Sequence, residues 1–136
     1  LYGAKKEVIE GTVKVLKNKY NKLNICGYMN GYNNEKDVLN DIKRCKPDYL
    51  FVGLGSPKQE EFIIKNEKIF KNVEVIMPVG GTFDVVSGLK KRAPIFYQKL
   101  HLEWLYRMIK EPKRIKDNVK ILKYLFLVIF GGKNEK

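Results

Sequence analysis

Apolar residues near the start of the chain recur at the spacing of a helix face. Val8, Ile9, Val13 and Leu16 fall on one side of a helix drawn over residues 4–20. Gly11 lies inside that stretch and weakens it. Residues 23–28 (Leu-Asn-Ile-Cys-Gly-Tyr) read as a strand, and Asn30, Gly31, Asn33 and Asn34 after them are turn formers. Asn34 is placed to cap a second helix carrying Val38, Leu39, Ile42 and Cys45 on one face, and Pro47-Asp48 stops it. Tyr49-Leu50-Phe51-Val52-Gly53 is short and wholly apolar, as expected of a strand covered on both faces. A third helix is predicted from Pro57 to about Glu67, then a strand over residues 73–79 that runs into Gly80-Gly81-Thr82.

Strand and helix thus alternate, which predicts an α/β fold: a Rossmann-like parallel sheet covered by helices. Ligands of such sheets bind at the carboxyl ends of the strands. Three polar or glycine-rich loops fall there, over residues 29–34, 53–59 and 80–84. After Asp84 the pattern changes. Residues 85–93 read as a basic connector, and Pro94 can start a helix over 95–110 with Phe96, Leu100, Trp104, Leu105, Met108 and Ile109. Glu111-Pro112 breaks it, and residues 113–130 form a further helix, basic first and apolar later, before a polar end at 131–136. The expected organisation is a Rossmann-like half over 1–93 and a basic amphipathic helical appendage over 94–136. Leu1-Tyr2-Gly3 reads like the end of a strand with nothing before it, so the chain is expected to be a fragment.

Charge sharpens this outline. The chain of 136 residues carries 27 Lys and Arg against 15 Asp and Glu, a formal net charge of +12. Residues 90–123 hold eleven of the basic residues and three acidic ones, a net of +8 that concentrates the attraction for anions in the appendage. The two cysteines, Cys26 and Cys45, make no disulfide framework and read as small buried hydrophobes. A single histidine, His101, excludes a His-rich zinc site. The longest apolar run, residues 124–130, is far short of the roughly 20 residues that span a bilayer.

The loop Gly53-Leu54-Gly55-Ser56-Pro57-Lys58-Gln59-Glu60 carries the clearest chemistry. Gly53 and Gly55 let backbone approach a ligand. Ser56 suits N-cap, Pro57 suits N1 and Gln59 falls at N3, a Ser-x-x-Gln capping box. Such a helix start offers free amides to an anion, with Lys58 adding a full charge and Gln59 both a donor and an acceptor. The competing reading is a well-capped helix with no ligand. In the 80–84 loop, Gly80 and Gly81 expose amides, Thr82 adds a hydroxyl, and Asp84 can bind a sugar hydroxyl or act as a general base; it can equally cap the next segment. Arg107, Lys110, Lys113, Arg114 and Lys116 suit phosphate or a solvated face. With Trp104, Tyr106 and the 124–130 run beside them, they resemble a helix lying in a membrane surface.

Several blocks in order closely resemble the WecG/TagA/CpsF family, glycosyltransferase family 26. They are Val52-Gly53-Leu54-Gly55-Ser56-Pro57-Lys58-Gln59-Glu60, Val79-Gly80-Gly81-Thr82-Phe83-Asp84-Val85-Val86-Ser87-Gly88, Arg92-Ala93-Pro94, Leu102-Glu103-Trp104-Leu105-Tyr106-Arg107 and Glu111-Pro112-Lys113-Arg114, with Gly27-Tyr28 and Gly31-Tyr32 also matching. The resemblance implies a bacterial, inverting, UDP-sugar-dependent glycosyltransferase, peripheral at the cytoplasmic face of the cell membrane. It would move an N-acetylmannosamine-type sugar from a UDP-N-acetylhexosamine to polyprenyl-diphosphate-linked N-acetylglucosamine, for wall teichoic acid or a related surface polysaccharide. It implies no cofactor and no metal, and this sequence has no Asp-x-Asp motif. Carried over, Gln59 would contact donor or acceptor sugar, Asp84 the nucleotide-sugar, and Tyr28 the uracil. Arg107 and Arg114 would close over the diphosphate. Full-length relatives carry roughly another half-domain before the position of Leu1, including the aspartate proposed as base, so this chain is expected to be inactive alone or to need a separate amino-terminal half. A homo-oligomer is the other arrangement expected. The alternative function is a non-catalytic basic module for membrane or nucleic acid; nucleic acid is not expected, because no motif for it appears.

Overall fold

The computed structural model describes residues 1–110, the side chains of Arg107 and Met108 excepted. The helix expected over 113–130 and the polar end lie outside the described residues. By its internal contacts the chain divides into two units, the first Leu1–Lys91 and the second beginning at Arg92.

The first unit holds a parallel sheet in the order β1 (Tyr2–Gly3), β2 (Tyr49–Gly53), β3 (Val75–Pro78). Tyr2 pairs with Val52 and Gly3 with Gly53, while Leu50 pairs with Ile76 and Phe51 with Met77. On the outer side of β1 a single parallel bridge joins Tyr2 to Met29. The strand expected over 23–28 is therefore replaced by a short track centred on Met29. Its main chain runs beside β1: the Met29 amide donates to the Leu1 carbonyl at 2.9 Å, Gly3 N–H to the Met29 carbonyl at 2.9 Å, and Gly31 N–H to the Ala4 carbonyl at 2.8 Å. Pairing needs a partner strand, and the short β1 offers one over only a few residues.

Helix α1 (Lys6–Lys19) follows β1, α2 (Glu35–Cys45) precedes β2, α3 (Lys58–Lys65) links β2 to β3, and α4 (Thr82–Val86) follows β3. Asn34 caps α2 as its sequence predicts, its side chain accepting from Lys36 N–H at 2.9 Å. The pleat sends alternate residues of β2 to opposite faces. On one face Tyr2, Leu50 and Val52 pack with Val38 and Ile42 of α2, Phe62 of α3, and Phe70. On the other, Phe51 and Val79 pack with Val8 and Ile9 of α1 and Phe83 of α4. Covering of that second face is incomplete among the described residues. Tyr49 and Met77 remain half exposed, against the expectation that the apolar β2 is covered on both sides.

Gly11 makes sense in this packing. A Cβ there would lie 3.2 Å from the Ser87 Cβ, so the glycine lets α1 approach the end of α4. Next to it the buried Thr12 hydroxyl lies 2.8 Å from the Val8 carbonyl and 3.1 Å from the Phe83 carbonyl. A buried bond of this kind contributes about 1 kcal/mol net, and here it ties the two helices.

The second unit contains α5 (Ile95–Lys99) and α6 (Glu103–Lys110) in place of the single helix expected over 95–110. The break is a Schellman turn. His101 takes the left-handed conformation at φ 56°, Leu102 N–H reaches the Tyr97 carbonyl at 2.8 Å, and His101 N–H reaches the Gln98 carbonyl at 3.1 Å. Arg92 holds Glu103 at the start of α6 through Nε at 3.2 Å and Nη2 at 3.0 Å. Among the described residues no helix is long and apolar enough to cross a membrane.

Candidate active site

The chain leaves β1 through α1 toward the Met29 track on one side, and leaves β2 through α3 toward β3 on the other. The carboxyl ends of β1 and β2 therefore flank a switch point, where α/β sheets open a crevice. The turn out of β1 is sharp, with positive φ at Gly3 (129°) and Ala4 (58°). Ala4 N–H consequently donates to the Gly53 carbonyl at 3.0 Å, stitching the ends of the two strands together.

Two glycine loops, after the carboxyl ends of β2 and β3, form the lips of a site beside this crevice. In the first, Gly53 is buried, and a Cβ on it would lie 2.6 Å from the Phe83 ring and 3.0 Å from the Gly80 carbonyl. Its glycine is thus required by packing. Gly55 differs: its φ is 78° and nothing lies within 4 Å of where its Cβ would be. Gly80, in the second loop, has φ 52° and is likewise open. Among the described residues the backbone amides of Gly55, Ser56 and Gly81 have no hydrogen-bond partner. Three donors at two adjacent turns suit an anion.

The expected capping box does not form. Pro57, after a cis Ser56–Pro57 peptide, occupies the N-cap of α3 with no side-chain cap bond, and Ser56 is exposed before it. Gln59 has a tertiary partner instead. Only 7% exposed, it accepts the Gly80 N–H on Oε1 at 3.0 Å and donates from Nε2 to Glu60 Oε1 at 2.9 Å. One glutamine therefore joins the two lips. The Glu60 carboxyl is held below its ordinary value first by the Gln59 amide and then by its own backbone N–H; the Ser56 hydroxyl adds less than burial takes away. Its other oxygen, Oε2, is out of solvent contact and lacks a hydrogen bond of good geometry. Glu60 was not singled out by sequence reasoning, because a glutamate in a first helical turn reads as an ordinary partner of the dipole.

Asp84 sits in the first turn of α4. Its Oδ2 would lie 3.6 Å from a Cβ on Gly81, and its Oδ1 lies 3.9 Å from Lys90 Nζ. The carboxylate is thus partly neutralised and folded over the second turn, where it can accept from a ligand hydroxyl. Thr82 is exposed and its hydroxyl donates to the Val79 carbonyl at 2.6 Å, leaving an oxygen free to accept. Lys58 is exposed beside the first turn. Tyr28 is half exposed next to the Met29 bridge and, among the described residues, makes no hydrogen bond or ring contact with either loop. Arg107 lies on α6 of the second unit, and Arg114 lies outside the described residues.

A cavity of about 870 Å3 runs along the incompletely covered face of the sheet, bordered by Leu16, Cys26, Cys45, Tyr49, Met77 and Val79. It is roomy but apolar. An anionic ligand needs donors, and the open amides lie at the glycine lips. The cysteines there are free: Cys45 Sγ lies 3.2 Å from the Cys26 carbonyl, and the thiol is pushed up chiefly by burial.

Comparison with known proteins fits this geometry. A protein of Bacillus subtilis (strain 168), N-acetylglucosaminyldiphosphoundecaprenol N-acetyl-beta-D-mannosaminyltransferase, is 44% identical over 137 residues, covering all of this chain and 53% of that protein. Proteins of the same name from Bacillus spizizenii (strain ATCC 23059 / NRRL B-14472 / W23) and Staphylococcus aureus (strain MW2) are 41% and 44% identical, over 94% and 85% of this chain and 50% and 45% of their own lengths. The chain thus spans about half the length of the curated relatives it matches. The model of the glycosyl transferase WecG/TagA/CpsF family matches residues 1–136, and the chain belongs to that family.

Proposed function

We propose that this chain is the nucleotide-sugar-binding portion of an inverting glycosyltransferase that moves an N-acetylmannosamine-type sugar from UDP to polyprenyl-diphosphate-linked N-acetylglucosamine. The supporting observation is the pair of glycine lips in a member of this family: the Gly55, Ser56 and Gly81 amides have no partner among the described residues, and Asp84 is folded over the Gly81 turn. The departing UDP is an anion. In this reading those amides and Lys58 meet its diphosphate, and Arg107 and Arg114 are the further cations that the family resemblance implies for it. Asp84 and Thr82 accept from sugar hydroxyls, and Tyr28 is placed against the uracil. Inversion requires one direct displacement with a carboxylate taking the acceptor hydroxyl proton. That base belongs to the other half of the family's length, on the same polypeptide or a separate one. The product feeds wall teichoic acid or a related surface polysaccharide.

Millimolar UDP is expected to slow amide exchange in residues 53–59 and at Gly81 by several fold. Unchanged exchange at those amides would sink the reading.

The acceptor is a lipid, so the enzyme works at a membrane. The basic, aromatic segment after Lys90 fits peripheral attachment to the anionic cytoplasmic leaflet, each Lys or Arg adding about 1 kcal/mol. Removing residues 116–136 is then expected to abolish sedimentation with phosphatidylglycerol vesicles. Equal partition of the shortened and whole chains would defeat this attachment. A nucleic-acid-binding module gains no support from the lips, because steep salt-dependent binding of DNA would need a continuous basic face.

A further inference from the structure

A glutamine side chain is symmetric in shape and asymmetric in chemistry: one end accepts and the other donates. Rotated by half a turn, the Gln59 amide would point its NH2 at the Gly80 N–H, donor against donor. Something must select the orientation in which the lips are joined. The Glu60 carboxylate has no proton to give, so Oε1 at 2.9 Å attracts the NH2 end and repels the carbonyl end. That leaves the Gln59 carbonyl facing the Gly80 N–H at 3.0 Å.

We infer that Glu60 is a positioning residue for the site: it fixes the rotation of the Gln59 amide and thereby anchors the Gly80–Gly81 turn against the loop of residues 53–57. The consequence for ligands rests on reading these lips as the sugar-nucleotide site. Gly81 presents its open amide only while the turn is anchored, and Asp84 is carried on the helix that follows. Two features fit a device for orientation. The Gln59 side chain is buried, so water does not compete for its amide. Glu60 Oε2 is held out of solvent, so the carboxylate itself has little room to turn.

The inference is tested on the chain itself, without ligand. In the unsubstituted protein a through-hydrogen-bond scalar coupling is expected between the Gly80 amide nitrogen and Gln59 Cδ. A missing coupling, or a strong Overhauser contact between Gly80 N–H and the Gln59 NH2, would overturn the assignment. Glu60→Gln is nearly the same shape but removes the acceptor-only partner. It is expected to speed Gly80 amide exchange by about tenfold, corresponding to about 1.4 kcal/mol, while exchange in β2 stays the same. The reciprocal swap Gln59→Glu/Glu60→Gln restores an acceptor for Gly80 and a donor between the side chains. It is expected to return Gly80 exchange to within twofold of the parent. A merely structural role for Glu60 predicts no such rescue, and failure of the swap in a chain that keeps the parent β2 protection would count against the relay. UDP failing to bind the unsubstituted chain would defeat the site reading alone, because the Gly80 measurements need no ligand.

Discussion

Gly3→Ala is expected to lower the thermal midpoint of the first unit by about 12 °C or more. The Cβ would stand 2.3 Å from the Gly53 carbonyl oxygen and 2.4 Å from its carbon, both backbone atoms at the carboxyl end of the β1–β2 ladder. No rotamer change relieves a clash with main chain. The residue also sits at φ 129°, where an L side chain is strained. Overpacking alone costs about 1–3 kcal/mol, and with the backbone strain the total should exceed about 3 kcal/mol. A single domain has roughly 5–15 kcal/mol in all. Thermal unfolding followed by circular dichroism checks this. A midpoint within a few degrees of the parent would mean that β1 does not pack as described. Gly53→Ala should be milder, since the Phe83 ring at 2.6 Å can turn, although the Gly80 carbonyl at 3.0 Å cannot.

The second large effect is on turnover. Gln59→Ala, made in a chain of the full family length, is expected to lower kcat by about 10²-fold, the scale of a misplacement of about 1 Å at a reacting centre. Stability should fall too. The Gly80 N–H is partly buried and loses its only partner among the described residues, which costs about 1–2 kcal/mol once its partial exposure is allowed for. The two effects are separable: a denaturation midpoint gives the second, and kcat under conditions where the enzyme is fully folded gives the first. Parent-like kcat in the folded variant would remove Gln59 from the machinery. The reason for expecting a loss has shifted with the geometry. Sequence alone makes Gln59 a side chain reaching for sugar; its burial and its bond to Gly80 make it the clasp between two loops that do the reaching.

Where the chain announced itself, the signal was local. Residues 49–53 are apolar throughout and form β2 with those bounds. Asn34 precedes a run with apolar positions on one face and caps α2. Where the signal misled, a distant partner or a missing marker was responsible. Ser56, Pro57 and Gln59 have the spacing of a capping box, but a bond across 21 positions to Gly80 outcompetes the local one. The turn after α5 uses His101 in the left-handed conformation, and without a glycine nothing in the sequence marked it. The run at 23–28 has strand composition, but its length of pairing was set by the two residues of β1. For the site, glycine was ambiguous. Gly53 and Gly55 look alike in sequence, yet one lies against the Phe83 ring and the other opens on empty space.

The placement of the lips has a bearing on how such a site can change. The lip of residues 53–57 leads into α3, whose Phe62 packs in the core on one face of the sheet. The lip at Gly80–Gly81 leads into α4, whose Phe83 packs in the core on the other. Each lip is upholstered from behind by a different set of side chains, and a single side-chain clasp spans the seam. Substitutions accumulated in one core act first on one lip, and the clasp and the Gly53–Phe83 contact carry part of the change to the other. A lineage could therefore shift one lip relative to the other by small steps, without rebuilding the whole fold.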